Sequence, residues 1–327
     1  MLIPVLLFIV GLLFLIKGGD WFVDGATGIA HRFHVPELLI GATVVSIGTT
    51  LPEVMVSATS AVGGHGEIAY GNAIGSIICN TALIAALTVA IRPSKVERST
   101  LKTPVLFFFL AAAVYVFTAY FRGHFDRATG IVLLVLFLVY MGVTVYQVKF
   151  QGEEKQGEQA KAAVAAQEAA NSMGKDLLLL AAGAVLIAFG ADLLVDNGTL
   201  IAKALGVPEA VIALTFVALG TSLPELVTAI TSLAKGHGAL SLGNVIGANL
   251  FNLVLVSGVS VVLAPFDIPS GKTIGGVASS LVVDIPVMLF VMLFLTIPAL
   301  IRGKLSRIQG IVLLCVYGAF CVLQFVM

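Results

Sequence analysis

The 327-residue sequence is poor in charge and in cysteine. Only 11% of its residues are charged, with 18 Lys and Arg against 18 Asp and Glu, and 59% are apolar. A soluble domain carries about 25% charged and about 45–50% apolar residues. The shortfall excludes a soluble globular enzyme and a disordered chain. The balance of charge leaves no basic face to neutralise phosphates, which excludes a nucleic-acid binder. The three cysteines, Cys79, Cys315 and Cys321, lie inside apolar runs without CxxC spacing. They read as buried, inert thiols, with no disulfide framework or zinc site. The HExxH, GxSxG and CxxC elements are missing, so nothing supports an intramembrane enzyme. No basic residue precedes the apolar N-terminus and no A-x-A site follows. Residues 2–29 therefore read as a first span, not as a cleaved signal peptide.

What the chain has is long apolar runs. They fall near 2–29, 36–61, 68–91, 104–121 and 128–148, then near 176–202, 208–233, 239–264, 281–301 and 308–327. A membrane span needs about 20 such residues. The expected fold is an all-α polytopic membrane protein of ten helices with no soluble domain. Residues 1–150 form a first five-span unit and 176–327 a second. The polar stretch 151–175 joins them as a linker with a short Ala-rich helix. Alternate loops carry thirteen Lys and Arg against four in the others. Cytoplasmic loops hold the excess of Lys and Arg, so both termini are expected outside and the 151–175 linker in the cytoplasm.

The two halves repeat one another. Residues 36–80 align with 208–252 at a constant offset of 172, without a gap and with 20 identities in 45 positions. The matches include GTTLPE (48–53) with GTSLPE (220–225), GHG (64–66) with GHG (236–238), Gly71-Asn72 with Gly243-Asn244, and Asn80 with Asn252. A five-span unit copied once must enter the membrane from the opposite side. That makes an inverted repeat, an architecture that places a site at the bilayer midplane between broken helices and supports alternating access.

Glu53 and Glu225 are each the only formal charge in the interior of their span. An intramembrane carboxylate is expensive unless paired, protonated or beside water, so its default reading is functional. Pro52 and Pro224 cannot bond the carbonyls of Gly48 and Gly220 four residues back, which frees backbone oxygens just before each glutamate. Thr49 and Thr221 share a helical face with the glutamates, and Thr50 and Ser222 lie three residues before them. The next span of each repeat adds Asn72, Ser76 and Asn80, or Asn244 and Asn252 with Ala248 between them. Gly71 and Gly75, like Gly243 and Gly247, let these spans approach closely. The donors are hard oxygens, the set that suits Ca²⁺ rather than Zn²⁺ or Cu⁺. Two carboxylates neutralise one divalent ion. An empty site would leave them repelling one another, so protons or monovalent cations are the natural counter-load.

The doubled GTTLPE/GTSLPE segment, each followed by GN-x-[VI]-G-x-x-x-x-N, resembles the two alpha-repeats of the calcium/cation antiporter superfamily, and most of all its bacterial sodium/calcium exchanger branch. The resemblance covers essentially the whole chain. It implies Na⁺-driven Ca²⁺ exchange in a bacterial or archaeal cytoplasmic membrane, with Ca²⁺ and Na⁺ as transported ions and no cofactor. It implies Ca²⁺ ligands at Glu53, Glu225 and the carbonyls of Thr49 and Thr221. Sodium sites would share the glutamates and add Thr50, Ser222, Ser76, Asn80 and the carbonyls of Ser46 and Ala218. Asn252 supplies a further amide oxygen. The chain departs from the family in three places. Ala248 removes a hydroxyl, Asn252 stands where some members carry Asp and so argues against K⁺ use, and Ile77 interrupts GSN. The same fold coupled to H⁺ instead of Na⁺ is the second reading, and a cation channel the third.

Other polar residues read as structural. Asp20 and Asp24, repeated as Asp192 and Asp196, are expected at helix ends or against a neighbouring helix end. His65 and His237 are expected in turns, and Asp284, two residues before Pro286, at an interface.

Overall fold

A computed structural model describes residues 2–33, 35–93, 95–154, 173–205, 220–271 and 273–326. Most of the 151–175 linker and Ala218 lie outside the described residues. Ten helices follow in chain order: α1 (Leu2–Arg32), α2 (Glu37–Val62), α3 (Gly66–Ile91), α4 (Arg98–Arg122), α5 (Arg127–Glu154), α6 (Met173–Ala204), α7 (Leu223–Ala234), α8 (Gly238–Leu263), α9 (Ser280–Arg302) and α10 (Arg307–Val326). Among the described residues nine are long and apolar enough to cross a membrane, and α7 is a shorter apolar helix. The fold is the all-α membrane architecture expected from the hydropathy. Among the described residues, strand forms two short pairs. His124–Phe125 pairs with Phe266–Asp267 and ties the α4–α5 turn to the loop after α8. Thr273–Ile274 pairs with Val277–Ala278 across Gly275 and Gly276, whose positive φ angles of 58° and 83° suit a two-residue hairpin turn.

Small residues set the closest helix contacts. In the antiparallel α1–α6 pair, Gly11, Gly18 and Gly25 recur every seven residues and meet Gly190, Gly183 and their neighbours. A Cβ at Gly18 would lie 2.9 Å from the Ile187 nitrogen, and one at Gly25 2.5 Å from that of Leu180. Only backbone fits there, which is how small residues draw membrane helices together. The outer faces of both helices carry exposed apolar side chains such as Leu13, Ile16, Leu178 and Phe189, as lipid contact requires.

The inner helices pack around an aromatic core that includes Tyr70, Phe108, Tyr115, Tyr140 and Phe251. Several helices widen locally into π-helical turns. Gly41–Val45 in α2, Asn80–Ala85 in α3 and Asn252–Val256 in α8 bear on the site. Each frees carbonyl oxygens, a feature frequent at functional sites. In α2 the side chains nearby satisfy them: the Tyr140 hydroxyl donates to Ala42 O at 2.9 Å and that of Ser46 to Gly41 O at 2.7 Å. In α8 the Ser257 hydroxyl donates to Asn252 O at 2.9 Å.

The repeat does not interrupt both glutamate helices in the same way. Among the described residues the backbone just before the glutamate is a turn in the second half and helix in the first. In the second half, Thr221 and Ser222 form a turn and α7 starts at Leu223, with Pro224 in its first turn. In the first half, α2 runs through Pro52 as helix. Proline costs that helix one hydrogen bond, and the wider turn at Gly41–Val45 lies upstream.

Candidate cation site between the repeats

Glu53 lies inside α2 and Glu225 in the first turn of α7. Both side chains are fully buried, at 0% exposure, and their carboxyl groups are within electrostatic reach of one another. None of their four carboxylate oxygens has a hydrogen-bond partner. A bare carboxylate buried with no counter-charge costs several kcal/mol even after relaxation. Two side by side also repel. The helix start beneath Glu225 offsets part of its charge.

The surrounding polar groups divide into those with partners and those without. Thr50, Ser222 and Asn80 are buried, and the hydroxyls of the first two and both amide atoms of the third are unpartnered. Asn252 donates its amide to Ala248 O at 3.0 Å and leaves its Oδ1 free. Ser46 is occupied: its hydroxyl bonds Gly41 O at 2.7 Å and Asn244 O at 3.0 Å. Ser76 is buried and lines, with Thr221, Asn72 and Cys79, a cavity of about 360 Å³ that reaches out past Ile68 and Gln324.

Two asparagines that the sequence reading left outside the ligand set organise the threonines crosswise. The Thr49 hydroxyl lies beside the Glu225 carboxyl but donates to Asn244 Oδ1 at 3.2 Å. The Thr221 hydroxyl donates to Asn72 Oδ1 at 3.2 Å. Each repeat therefore holds the threonine of the other. Asn72 also donates to Ser57 Oγ at 2.8 Å and to Glu53 O at 3.3 Å. Ser57 corresponds to Ala229, and the Asn244 amide nitrogen, which has no such hydroxyl to meet, is buried without a partner. The recurrence of GN in both repeats carried this signal, although not which residue each asparagine would reach.

Among the described residues, no third His, Cys, Asp or Glu joins the two carboxylates in a metal-holding cluster. What the site offers a cation is two charges and a shell of neutral oxygens. The other acids lie elsewhere. Lys235 Nζ meets Asp24 Oδ1 at 2.7 Å and Asp20 Oδ1 at 3.4 Å, tying α1 to the end of α7. Asp284 accepts from Gln324 at 2.7 Å between α9 and α10. His65 and His237 sit in the turns before α3 and α8, and His237 Nδ1 is 2.8 Å from Glu37 Oε1.

Comparison with known proteins agrees with this arrangement. The family described as sodium/calcium exchanger protein matches residues 3–146 and 175–326. The sodium/calcium exchanger MaX1 of Methanosarcina acetivorans is 31% identical over 350 residues, covering 98% of both chains. An uncharacterized membrane protein of Methanocaldococcus jannaschii, MJ0091, is 40% identical over 141 residues, spanning 42% of this chain and 45% of that protein. A solved structure of the sodium-calcium exchanger NCX_Mj, soaked with Na⁺ and Ca²⁺, superposes with a TM-score of 0.79 at 33% identity, covering 97% of each chain. The chain belongs to the sodium/calcium exchanger family. It is an integral membrane protein of the cation-antiporter class, a family whose named relatives are exchangers.

Proposed function

We propose that the chain exchanges Na⁺ for Ca²⁺ by alternating access, at one midplane site built on Glu53 and Glu225. The observation that carries this reading is the pair of fully buried, unpartnered carboxylates. Such a pair needs bound cations or protons to neutralise it. Ca²⁺ takes six to eight oxygens at roughly 2.3–2.6 Å. The two carboxylates and the carbonyls of Thr49 and Thr221 would supply its inner ligands. Thr50, Ser222, Ser76, Asn80 and the carbonyls of Ser46 and Ala218 would share the sodium load, with the free Oδ1 of Asn252 as a further donor. Cationic side chains would compete for the site, and none makes an ion pair with either glutamate among the described residues. Both termini outside and the 151–175 linker inside follow from the loop charges.

Hard neutral oxygens separate sodium coupling from proton coupling, since protons need only the carboxylates. The unpartnered Thr50, Ser222 and Asn80 groups favour Na⁺. The test is Ca²⁺ uptake into proteoliposomes loaded with Na⁺ and diluted into Na⁺-free buffer at constant pH. Uptake that requires the outward Na⁺ gradient supports the exchange. Uptake indifferent to Na⁺ but driven by a pH gradient would move the chain to proton-coupled antiport with the same glutamates. Passive flux without either gradient would make it a channel.

A further inference from the structure

Many buried hydroxyls among the described residues bond the backbone of their own helix, while those of Thr50, Thr144 and Ser222 have no partner. The hydroxyls of Thr27, Thr43, Thr81, Thr118, Ser260 and Thr296 all donate to the carbonyl four residues back, at 2.6–2.9 Å. This local bond is the usual fate of Ser and Thr inside a helix. Thr228 and Ser232 of α7 and Ser241 of α8 are equally buried, at 0%, 0% and 2% exposure, yet their hydroxyls bond nothing. A buried hydroxyl without a partner costs about 1–3 kcal/mol, so three together need a reason.

Their placement supplies one. Glu225, Thr228 and Ser232 follow one buried stripe of α7. At 1.5 Å per residue, that stripe runs roughly 10 Å from the carboxylate toward the end of the helix. Ser241 enters from α8 on the other side of the same turn, three residues after α8 begins. Just beyond, the starts of α2 and α8 border a recess of about 190 Å³ whose lining includes Glu37, Glu97 and Lys95. The first repeat has no such file at the matching positions. Val56, Ser60 and Ala69 stand there, and Val56 is exposed.

We propose that Thr228, Ser232 and Ser241 are the closed half of the cation path, the oxygens that solvate a partly dehydrated Na⁺ or Ca²⁺ between Glu225 and the recess at the α2/α8 end. The assignment rests on the two-glutamate reading above. In the conformation described here the helices have closed over the file, and the hydroxyls wait without partners. When this end opens they replace water around the ion.

The test is Na⁺-driven Ca²⁺ uptake by a triple variant, Thr228→Val with Ser232→Ala and Ser241→Ala, in reconstituted full-length protein. The expected result is an initial rate about tenfold lower, with half-saturating Ca²⁺ changed by less than about twofold, since the ligands remain. Uptake at the wild-type rate overturns the path. A triple variant that fails to fold is replaced by Ser232→Cys, which keeps the volume. A cationic thiol reagent applied from the α7–α8 turn side should then stop its transport, measured against the same reagent on the unsubstituted chain. No added block from either side overturns the path. Glu225→Gln in the same vesicles separates the two readings. If it exchanges like wild type, the two-glutamate site falls. If it is inactive while the hydroxyl variants run at full rate, only the path falls.

Discussion

Gly71 and Gly243 hold the same position in α3 and α8, 172 residues apart in a repeated GN-x-I-G segment, but their surroundings differ. Gly71 is exposed and Asn72 and Gly75 are half-buried, beside the cavity that reaches Ser76 and Thr221. Gly243, Asn244 and Gly247 are buried. A Cβ at Gly243 would collide with the Leu38 carbonyl and one at Gly247 with the Ser46 hydroxyl. One repeat unit thus stands open toward its end of the membrane while its copy is closed toward the other. Similar sequence in two environments is what an inverted repeat needs if the two ends are to exchange roles. Lys235 with Asp20 and Asp24, and His237 with Glu37, fasten the closed end. The residue that corresponds to Lys235 in the first repeat is Gly63, which has no charge to offer.

The comparison is symmetric at the glutamates, and breaking it there should have the largest effect. Glu53→Gln and Glu225→Gln should each lower Ca²⁺ exchange by at least about 100-fold, or roughly 2.7 kcal/mol, in protein that still folds and inserts. An effect confined to one glutamate would make the repeats unequal at the site itself.

The glycines come next. Gly243→Ala should destabilise the protein by roughly 1–3 kcal/mol, the usual cost of overpacking a close contact, seen as a lower thermal midpoint in detergent. Gly71→Ala should change the midpoint little, within about 0.5 kcal/mol, but slow exchange if α3 takes up the packing of α8 in the opposite state. An alanine at 71 that alters neither stability nor rate would mean that α3 never closes in that way.

Smaller effects are expected from the fasteners. Removing the half-buried Glu37–His237 contact by Glu37→Gln should favour opening of the closed end by up to about fivefold, or ~1 kcal/mol, read as faster thiol labelling of Ser241→Cys. Asp24→Asn should be milder than either glutamate variant, because Lys235 keeps Asp20 within 3.4 Å. A loss as complete as that of Glu53→Gln would overturn its role as a helix-end contact.

Much of this was legible in the chain. Among the described residues nine of the ten apolar runs are helices long enough to span and part of the seventh is the shorter helix Leu223–Ala234, because in lipid every backbone group must be satisfied within its own segment. Glu53 and Glu225 stood out because a lone charge in a span has few other uses. The helix through Pro52 was less legible. A proline removes one hydrogen bond in any context, but whether the helix breaks depends on neighbours, and among the described residues the interruption falls at Thr221–Ser222. The crosswise pairing of Thr49 with Asn244 and of Thr221 with Asn72 spans more than 140 residues and follows only from the packing of α2, α3, α7 and α8. Thr228 and Ser232 were visible as hydroxyls three and seven residues after Glu225. Their lack of partners was not, since it depends on which rotamers the closed helices allow.

If the two buried glutamates form one Ca²⁺ site, that site should be visible in binding without transport. Calorimetric titration of purified, Na⁺-free protein with Ca²⁺ tests it most directly, with Glu53→Gln and Glu225→Gln measured beside the wild type. Ca²⁺ should bind the wild type, added Na⁺ should displace it, and either substitution should abolish the binding. Both variants binding Ca²⁺ with unchanged affinity would contradict the one-site reading.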